Sequence, residues 1–180
     1  MLHVCSLQTL EPVQKRMLIR RLLSSDALAF QTLRLAALAN APTAFSASFE
    51  DECDTPLATI ESNLAQRNLF GAFEGDALVG MVGVGRESTP KLRHKGYIRA
   101  MYVAGEHRGK GAGRQLFEHA LGFAATLEGV RQLSLVVTSG NEPAIALYES
   151  MGFVIYGIEP CALFADGVFH DNVLMARVLD

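Results

Sequence analysis

Apolar positions recur along the chain with two periods, and together they predict a protein that mixes helices and strands. Apolar residues return every three or four positions in two long segments, which predicts amphipathic helices over residues 28–39 and 116–127. Shorter runs rich in β-branched and aromatic residues predict strands at Leu18 to Leu23, Leu69 to Phe73, Ala77 to Val84, Tyr97 to Val103, Leu133 to Thr138, Phe153 to Gly157 and Val173 to Val178. We therefore expect an α+β fold.

Turn and capping residues mark the ends of several of these elements. Residues 24–26 (Ser-Ser-Asp) offer a cap for the first long helix, and a further helical pattern covers residues 55–66. A short helix is predicted between Asn141, a favoured N-cap, and Gly152, a favoured helix stop. Residues 166–167 (Asp-Gly) predict a turn before the last strand.

A glycine-rich loop, Arg108 to Gly113, stands between the fourth predicted strand and the second long helix. The first N–H groups of a helix have no intrahelical acceptors, and the helix dipole places roughly half a positive charge there, so an anion is favoured. Glycines allow positive φ and leave space beside the backbone. Arg108 and Lys110 could add positive charge. The loop therefore predicts a phosphate-binding site.

The spacing of this loop excludes two common phosphate-binding motifs. A P-loop carries Ser or Thr after its Gly-Lys pair, but Lys110 is followed by Gly111. The dinucleotide-binding fingerprint needs a glycine three residues beyond Gly113, and that position holds Leu116.

The pattern Arg-x-x-Gly-x-Gly, formed by Arg108, Gly111 and Gly113, resembles the acyl-coenzyme A pyrophosphate loop of the GNAT superfamily of N-acyltransferases. In that family the loop follows a bulged central strand and opens a long helix, and the next strand leads to a short helix with Asn near its start and Tyr near its end. Asn141 and Tyr148 occupy those places here. The resemblance implies a mixed, mostly antiparallel sheet flanked by helices, with splayed fourth and fifth strands that admit the thioester end of acetyl-coenzyme A.

The same resemblance implies roles for individual residues. Tyr148 is the expected proton donor to the departing thiolate, whereas periodicity alone favours a core tyrosine with a satisfied hydroxyl. Acetyl-coenzyme A is expected to bind to Asn141, to the glycine-rich loop and to the backbone of the fourth strand. The loop residues are Arg108, Gly109, Lys110, Gly111, Ala112 and Gly113, and the strand residues are Met101, Tyr102 and Val103. One N–H of that strand could also stabilise the oxyanion formed during attack.

An acidic group, Glu50-Asp51-Glu52-Asp54, lies in the region that forms one wall of the acceptor pocket in the family. Such a run is usually a solvated face, and a site for a cationic amine is the alternative. The general base stays open among Glu50, Glu52 and a water chain. Arg99 stands on the fourth strand, where some relatives offer a carboxylate nearby.

Composition narrows the class of protein. The 180 residues are 49% apolar and 19% charged, which suits one domain with one sizeable core. A net charge of −3 argues against a nucleic-acid surface. A local basic cluster at residues 91–95 is expected to be solvated, with a contact to an acidic cofactor or partner as the alternative. The three cysteines form no CxxC pair, so neither a disulfide framework nor a metal site is expected.

No apolar run approaches the ~20 residues of a membrane span, and the amino end lacks a signal-peptide core, so we expect a cytoplasmic protein without a membrane partner. Residues 1–16 are interpreted as an extension of uncertain status before a single domain at residues 17–180.

The expected activity is direct transfer of an acetyl group from acetyl-coenzyme A to a primary amine through a tetrahedral intermediate. A non-catalytic module that binds or senses acyl-coenzyme A is the alternative. Polyamines, amino acids, antibiotics, lysine side chains and protein N-termini all remain open as acceptors, because fold-level analogy does not choose among them. A homodimer is a reasonable expectation.

Overall fold

The computed structural model describes residues 17–179, so the predicted extension at residues 1–16 lies outside the described part of the chain. Within it, seven strands form one sheet in the order β1-β2-β3-β4-β5-β7-β6. The strands are β1 Leu18–Arg21, β2 Asn68–Glu74, β3 Ala77–Arg86, β4 Lys95–Val103, β5 Gln132–Thr138, β6 Val154–Ala165 and β7 Val168–Val178. All neighbours are antiparallel except β4 and β5, which are parallel.

Five α-helices accompany the sheet in residues 17–179: α1 Ala27–Asn40, α2 Phe49–Glu52, α3 Leu57–Gln66, α4 Ala112–Ala125 and α5 Glu142–Ser150. Along this part of the chain, none of the helices is both long and apolar enough to cross a membrane. The architecture confirms the predicted α+β fold with a mixed, mostly antiparallel sheet.

The two faces of the sheet carry different helices, because successive side chains of a strand point to opposite faces. Phe70 of β2 belongs to the core that contains Leu116 and Phe117 of α4. Its neighbour Leu69 belongs to a separate cluster with Leu64 of α3. The predicted apolar stripe of α4 is therefore correct, and its burial fixes the start of this helix against the sheet.

The turn before α1 differs in detail from the prediction. Residues 24–26 form one turn of 3-10 helix, and the side chain of Asp26 makes no cap hydrogen bond to α1. Its carboxylate instead accepts hydrogen bonds from the Leu23 N–H at 2.8 Å and from the Arg20 guanidinium at 2.7 and 2.8 Å. The hydrogen bonds from Arg20 lower the pKa of Asp26.

The last two strands are longer than predicted, although the turn at residues 166–167 is where the sequence placed it. Gly157 and Pro160 are loop signals, yet β6 continues through them because the register shifts between Glu159 and Leu163. Most residues of β6 are exposed at the edge of the sheet, so no alternation of apolar and polar positions marks this strand.

Candidate active site

The parallel strands β4 and β5 are paired only at their first residues. The pairing runs from Lys95 with Gln132 to Tyr97 with Ser134 and then stops. Beyond this point β4 stays paired with β3, and β5 stays paired with β7, so both strands continue while they separate. The space between them, which we call the gap, is the splay that the family resemblance predicted.

A β-bulge in β4 lies where the two strands separate. Ala100 and Met101 lie opposite the single residue Val82 of β3, because the register shifts there. Ala100 has a φ of +53°, which is uncommon for a residue with a side chain. Bulges bend the strand that carries them and are frequent beside functional sites. The bulged central strand implied by the resemblance is therefore present.

The backbone of β4 offers its groups to the gap at alternate residues. Ala104 donates to the Val79 carbonyl at 2.9 Å, and bonded and non-bonded residues alternate in an antiparallel pair. Tyr102 therefore directs its backbone toward β3, whereas Val103 directs its own toward the gap. The Val103 carbonyl accepts a hydrogen bond from Arg108 Nε at 2.8 Å. The Val103 N–H is left as a donor that faces the gap.

The glycine-rich loop has the backbone geometry of an anion site. Gly109 and Gly111 adopt φ values of +71° and +82°, and α4 begins directly afterwards at Ala112. Within the described chain, the N–H groups of Ala112 and Gly113 make no backbone hydrogen bond outside the helix, as expected for a first helical turn. A Cβ atom added at Gly109 would meet nothing within 4 Å, so the loop faces open space. These groups fit a diphosphate.

Three basic side chains near the start of α4 differ in their surroundings. The guanidinium of Arg108 lies 5.4 Å from the ring centroid of Tyr102, so Arg108 ties the loop to the end of β4. Lys110 is exposed on the loop. Arg114, which the sequence analysis missed, donates to Ser150 Oγ at 3.0 Å and joins α4 to α5. A single arginine within a predicted helix does not indicate a hydrogen bond to another helix.

Tyr148 lies beside the gap on α5 and lines a cavity of about 70 Å³ together with Met101 and Thr138. Its side chain packs against Phe117, with ring centroids 4.9 Å apart, and only 7% of Tyr148 is exposed. Burial raises the pKa of Tyr148 to about 12. Its hydroxyl has no hydrogen-bond partner among residues 17–179. Tyr148 is thus a core residue, as its periodicity indicated, but no protein group among residues 17–179 forms a hydrogen bond with its hydroxyl.

Asn141 precedes α5 at the predicted position and lines the same small cavity. Asn141 is the N-cap residue of α5, as predicted, but its side chain makes no cap hydrogen bond. The backbone carbonyl of Asn141 accepts from the N–H groups of Ala144 and Ile145 at 3.1 and 3.0 Å. The exposed Asn141 amide is therefore not used by α5.

A larger cavity of about 700 Å³ lies beside the gap, on the face of the sheet that carries α1 and α3. Arg99, Ala100 and Thr138 line both cavities, so the two spaces are adjacent. Most of its remaining walls come from α1, α3, the segment at residues 44–47 and the end of α2, with single residues from β2, β6 and β7. A volume of this size is typical of a small-molecule site. We refer to it as the acceptor pocket, after the pocket that the family resemblance predicts beside the acidic group at residues 50–54.

The acidic group at residues 50–54 contributes one carboxylate to the lining of the acceptor pocket, that of Glu52. Both Glu52 oxygens accept hydrogen bonds from Arg34, at 2.9 Å from Nε and 2.8 Å from Nη2. Asp51 accepts from the Ser48 N–H, and this bond lowers the pKa of Asp51. Glu50 is exposed and does not line the pocket. Of the two carboxylates considered as a base, only Glu52 reaches the pocket.

Comparison with known proteins gives a consistent result. Residues 34–153 match the model of the acetyltransferase (GNAT) family. An uncharacterized protein of Mycobacterium leprae is 36% identical over 132 residues, which cover 72% of this chain and 34% of that protein. Streptothricin acetyltransferase of Streptomyces lavendulae is 47% identical over 62 residues, which cover 34% of this chain and 32% of the enzyme. The matched region thus spans about a third of the length of each relative.

Among solved structures, a putative acetyltransferase from Salmonella typhimurium, determined with its cofactor acetyl-coenzyme A, aligns with a TM-score of 0.79. The alignment covers 92% of this chain and 95% of that chain at 24% identity. At this level of identity the match supports a common fold.

Proposed function

Because the chain belongs to the acetyltransferase (GNAT) family, we propose that it transfers the acetyl group of acetyl-coenzyme A directly to a primary amine. One structural observation carries the proposal. The gap between β4 and β5 adjoins the acceptor pocket, and the start of α4 lies beside it, since a Cβ atom at Gly113 would lie 3.7 Å from Met101 Cε of β4. A thioester whose diphosphate lies at the start of α4 could therefore extend along β4 and present its carbonyl to an amine in the pocket.

Acetyl-coenzyme A would be bound mainly by backbone groups. The diphosphate would accept hydrogen bonds from the N–H groups at Gly111, Ala112 and Gly113, where the helix dipole also favours negative charge. The pantetheine arm would lie along the unpaired side of β4, as an added strand does. Asn141, with its side chain not used as a cap, is placed to contact the same arm.

The reaction requires a neutral amine, since a free alkylammonium has a pKa near ~10.4. The amine nitrogen attacks the thioester carbonyl carbon, a C–N bond forms, and the carbonyl oxygen becomes an oxyanion. The Val103 N–H faces the gap and is our candidate to stabilise that oxyanion. Collapse of the intermediate breaks the C–S bond and releases the thiolate.

Tyr148 is proposed to donate a hydrogen bond to the departing thiolate. With its pKa raised to about 12, the hydroxyl stays protonated near neutral pH. A thiol has a pKa near ~8.5, so the thiolate is the weaker base and Tyr148 stabilises it chiefly as a donor. The proton lost by the amine would leave through water in the acceptor pocket. Neither Cys53 nor Cys161 lines either cavity, which supports direct transfer.

The test is release of free coenzyme A from acetyl-coenzyme A in the presence of a panel of amines, with acetyl-coenzyme A affinity measured separately by calorimetry. We expect binding and amine-dependent thiol release. Binding without release for every amine would contradict the transferase proposal and favour the acyl-coenzyme A-binding module. No binding would contradict both.

We also propose a homodimer formed through the outer strands. Seven apolar residues on β6 and β7 are 47–66% exposed; they are Val154, Ile155, Tyr156, Ile158, Phe164, Val168 and Phe169. β6 is an edge strand, and an unpaired edge is a template for pairing with a second copy about a two-fold axis. Light scattering should give a dimeric mass that Phe164→Glu reduces to the monomeric mass. A monomeric parent protein would contradict the proposal.

A further inference from the structure

The lining of the acceptor pocket is unbalanced in charge. Among the described residues it includes three arginines, each from a different element: Arg34 from α1, Arg67 from the junction of α3 and β2, and Arg99 from β4. Glu52 is the carboxylate that lines the same space. The pocket therefore offers an acceptor more positive than negative charge.

The carboxylate is already matched by one of these arginines. Arg34 binds both oxygens of Glu52, and its guanidinium also lies 4.7 Å from the ring centroid of Phe45. The remaining nitrogen, Arg34 Nη1, is buried and has no hydrogen-bond partner in the part of the chain that the structure describes. An unpaired buried donor is costly and calls for an acceptor. Arg34 and Glu52 together contribute no net charge.

Among the described residues, the other two arginines have no carboxylate partner. None of the ion pairs found within residues 17–179 involves Arg67 or Arg99. Both residues are exposed, and both line the pocket. Within the part of the chain that the structure describes, two positive charges thus have no ion-pair partner in a concave site, where the surrounding low-dielectric walls strengthen the field.

The position of Arg99 depends on space that two glycines of β3 provide. The Arg99 guanidinium lies 5.3 Å from the ring centroid of Tyr97. A Cβ atom at Gly83 would lie 3.3 Å from Arg99 Cγ, and one at Gly85 would lie 2.2 Å from the Tyr97 ring. The side chains of Tyr97 and Arg99 therefore lie over β3 at the two positions where glycines leave it without side chains. The aliphatic part of Arg99 thus lies over Gly83, and its guanidinium lies next to Tyr97.

We propose that the acceptor is a small amine that also carries an oxyanion, such as the carboxylate of an amino acid, and that Arg67 and Arg99 bind this oxyanion. The inference rests on the proposed acetyl transfer and specifies its substrate class. Arg34, whose Nη1 has no hydrogen-bond partner among the described residues, lines the same pocket. A polyamine would bring additional positive charge to these arginines, and like charges placed together disfavour binding.

This class of acceptor also suits the chemistry of attack. Nearby positive charge disfavours the ammonium form of an amine, and so it promotes the neutral form that attacks the thioester. The oxyanion of the acceptor would restore electrostatic balance once it is bound. The alternative expectation from the sequence, that the acidic group at residues 50–54 forms a site for a cationic amine, has less support because Glu52 is paired with Arg34.

The test compares amino acids with the corresponding amino acid amides as acceptors, for example methionine with methioninamide, and includes spermidine and aminomethylphosphonate. The amides keep the side chain and the amine but lack the negative charge. We expect kcat/KM for the carboxylates to exceed that for the amides by at least tenfold, and the ratio to fall as salt screens the arginines. Aminomethylphosphonate distinguishes phosphonate from carboxylate recognition. Equal values, or a preference for amides or spermidine, would overturn the inference and leave acetyl transfer intact.

Variants assign the preference to particular residues. Arg67→Gln and Arg99→Gln should each raise KM for the carboxylates by about tenfold, with a much smaller change in kcat, so the ratio of carboxylate to amide falls. Arg131→Gln is the matched control, because Arg131 is exposed and lines neither cavity. An unchanged ratio in both pocket variants would overturn the assignment to these arginines.

A binding measurement separates this inference from the transfer proposal. If acetyl-coenzyme A binds but no amine releases thiol, the transfer proposal fails, and calorimetric titration of the coenzyme A complex with the same acids and amides still tests the pocket. Tighter binding of the acids supports oxyanion recognition. Equal binding of acids and amides overturns it.

Discussion

Replacement of Tyr148 by Phe removes one hydroxyl beside the gap and keeps the aromatic ring. The ring contacts with Phe117 and Phe153, at centroid distances of 4.9 and 6.5 Å, are retained. The hydroxyl has no partner to lose within residues 17–179, so the free energy of unfolding at pH 7 should change by less than about 1 kcal/mol. A fall in activity therefore cannot come from unfolding.

The expected fall in kcat follows from the loss of one preorganised donor at a developing negative charge. Such a loss costs roughly 10²–10³ in kcat, or about 2.7–4 kcal/mol. The affinity for acetyl-coenzyme A should stay the same, because the donor acts on the departing thiolate. The assay is thiol release at saturating amine, with calorimetry for affinity. An unchanged kcat across pH 6–9 would refute the assigned role of Tyr148.

The same variant has a second, independent signature in its stability at alkaline pH. The folded protein keeps the Tyr148 proton up to a pKa of about 12, whereas an unfolded tyrosine loses it near ~10. Stability present below pH ~10 is therefore lost as pH rises toward 12, by at most about 2.7 kcal/mol at ~1.36 kcal/mol per pH unit. Urea unfolding at pH 8 to 11 should show this loss in the parent protein and a smaller loss in Tyr148→Phe. Identical declines would contradict the burial argument.

Three further substitutions test other parts of the structure. Gly113→Val places its Cβ 3.7 Å from Met101 Cε, which is an ordinary contact, so α4 should still fold. The affinity for acetyl-coenzyme A, measured by calorimetry, should fall at least tenfold. Gly122→Val, on the open face of α4, is the control and should leave this affinity unchanged. Gly85→Ala should displace the Tyr97 ring and raise the acceptor KM without changing acetyl-coenzyme A affinity; an unchanged KM would contradict this packing. Asp26→Asn should destabilise the fold by about 1–3 kcal/mol at pH 7 in urea unfolding. Because the pKa of Asp26 is lowered in the folded state, the parent protein should lose that advantage as pH falls below ~3.9, and an equal difference at pH 3 would count against the pairing.

Local sequence signals predicted the parts of the site that depend on neighbouring residues. The glycine loop, the stripe of α4 and the order of the following strand and α5 are encoded over short stretches, so spacing was enough to place them. The turn at residues 166–167 was found for the same reason. The length of β6 was not predicted, because a strand that is exposed on both faces has no apolar period and tolerates Gly157 and Pro160 at its irregularities.

The charge of the acceptor pocket was beyond sequence reasoning for a different reason. Arg34, Arg67 and Arg99 lie on three separate elements, and only the assembled sheet and helices bring them to one cavity. The acidic group is visible in the sequence as a run of carboxylates, yet its one residue that lines the pocket, Glu52, pairs with Arg34, which lies 18 positions earlier. Pairing between residues that are far apart in the sequence cannot be recognised from the local composition.

The most direct measurement is a crystal structure of the protein with bound acetyl-coenzyme A. The account predicts that the diphosphate lies within hydrogen-bond distance of the N–H groups of Gly111, Ala112 and Gly113, and that the thioester lies in the gap beside Tyr148. A complex in which the start of α4 is vacant and acetyl-coenzyme A binds elsewhere would contradict it.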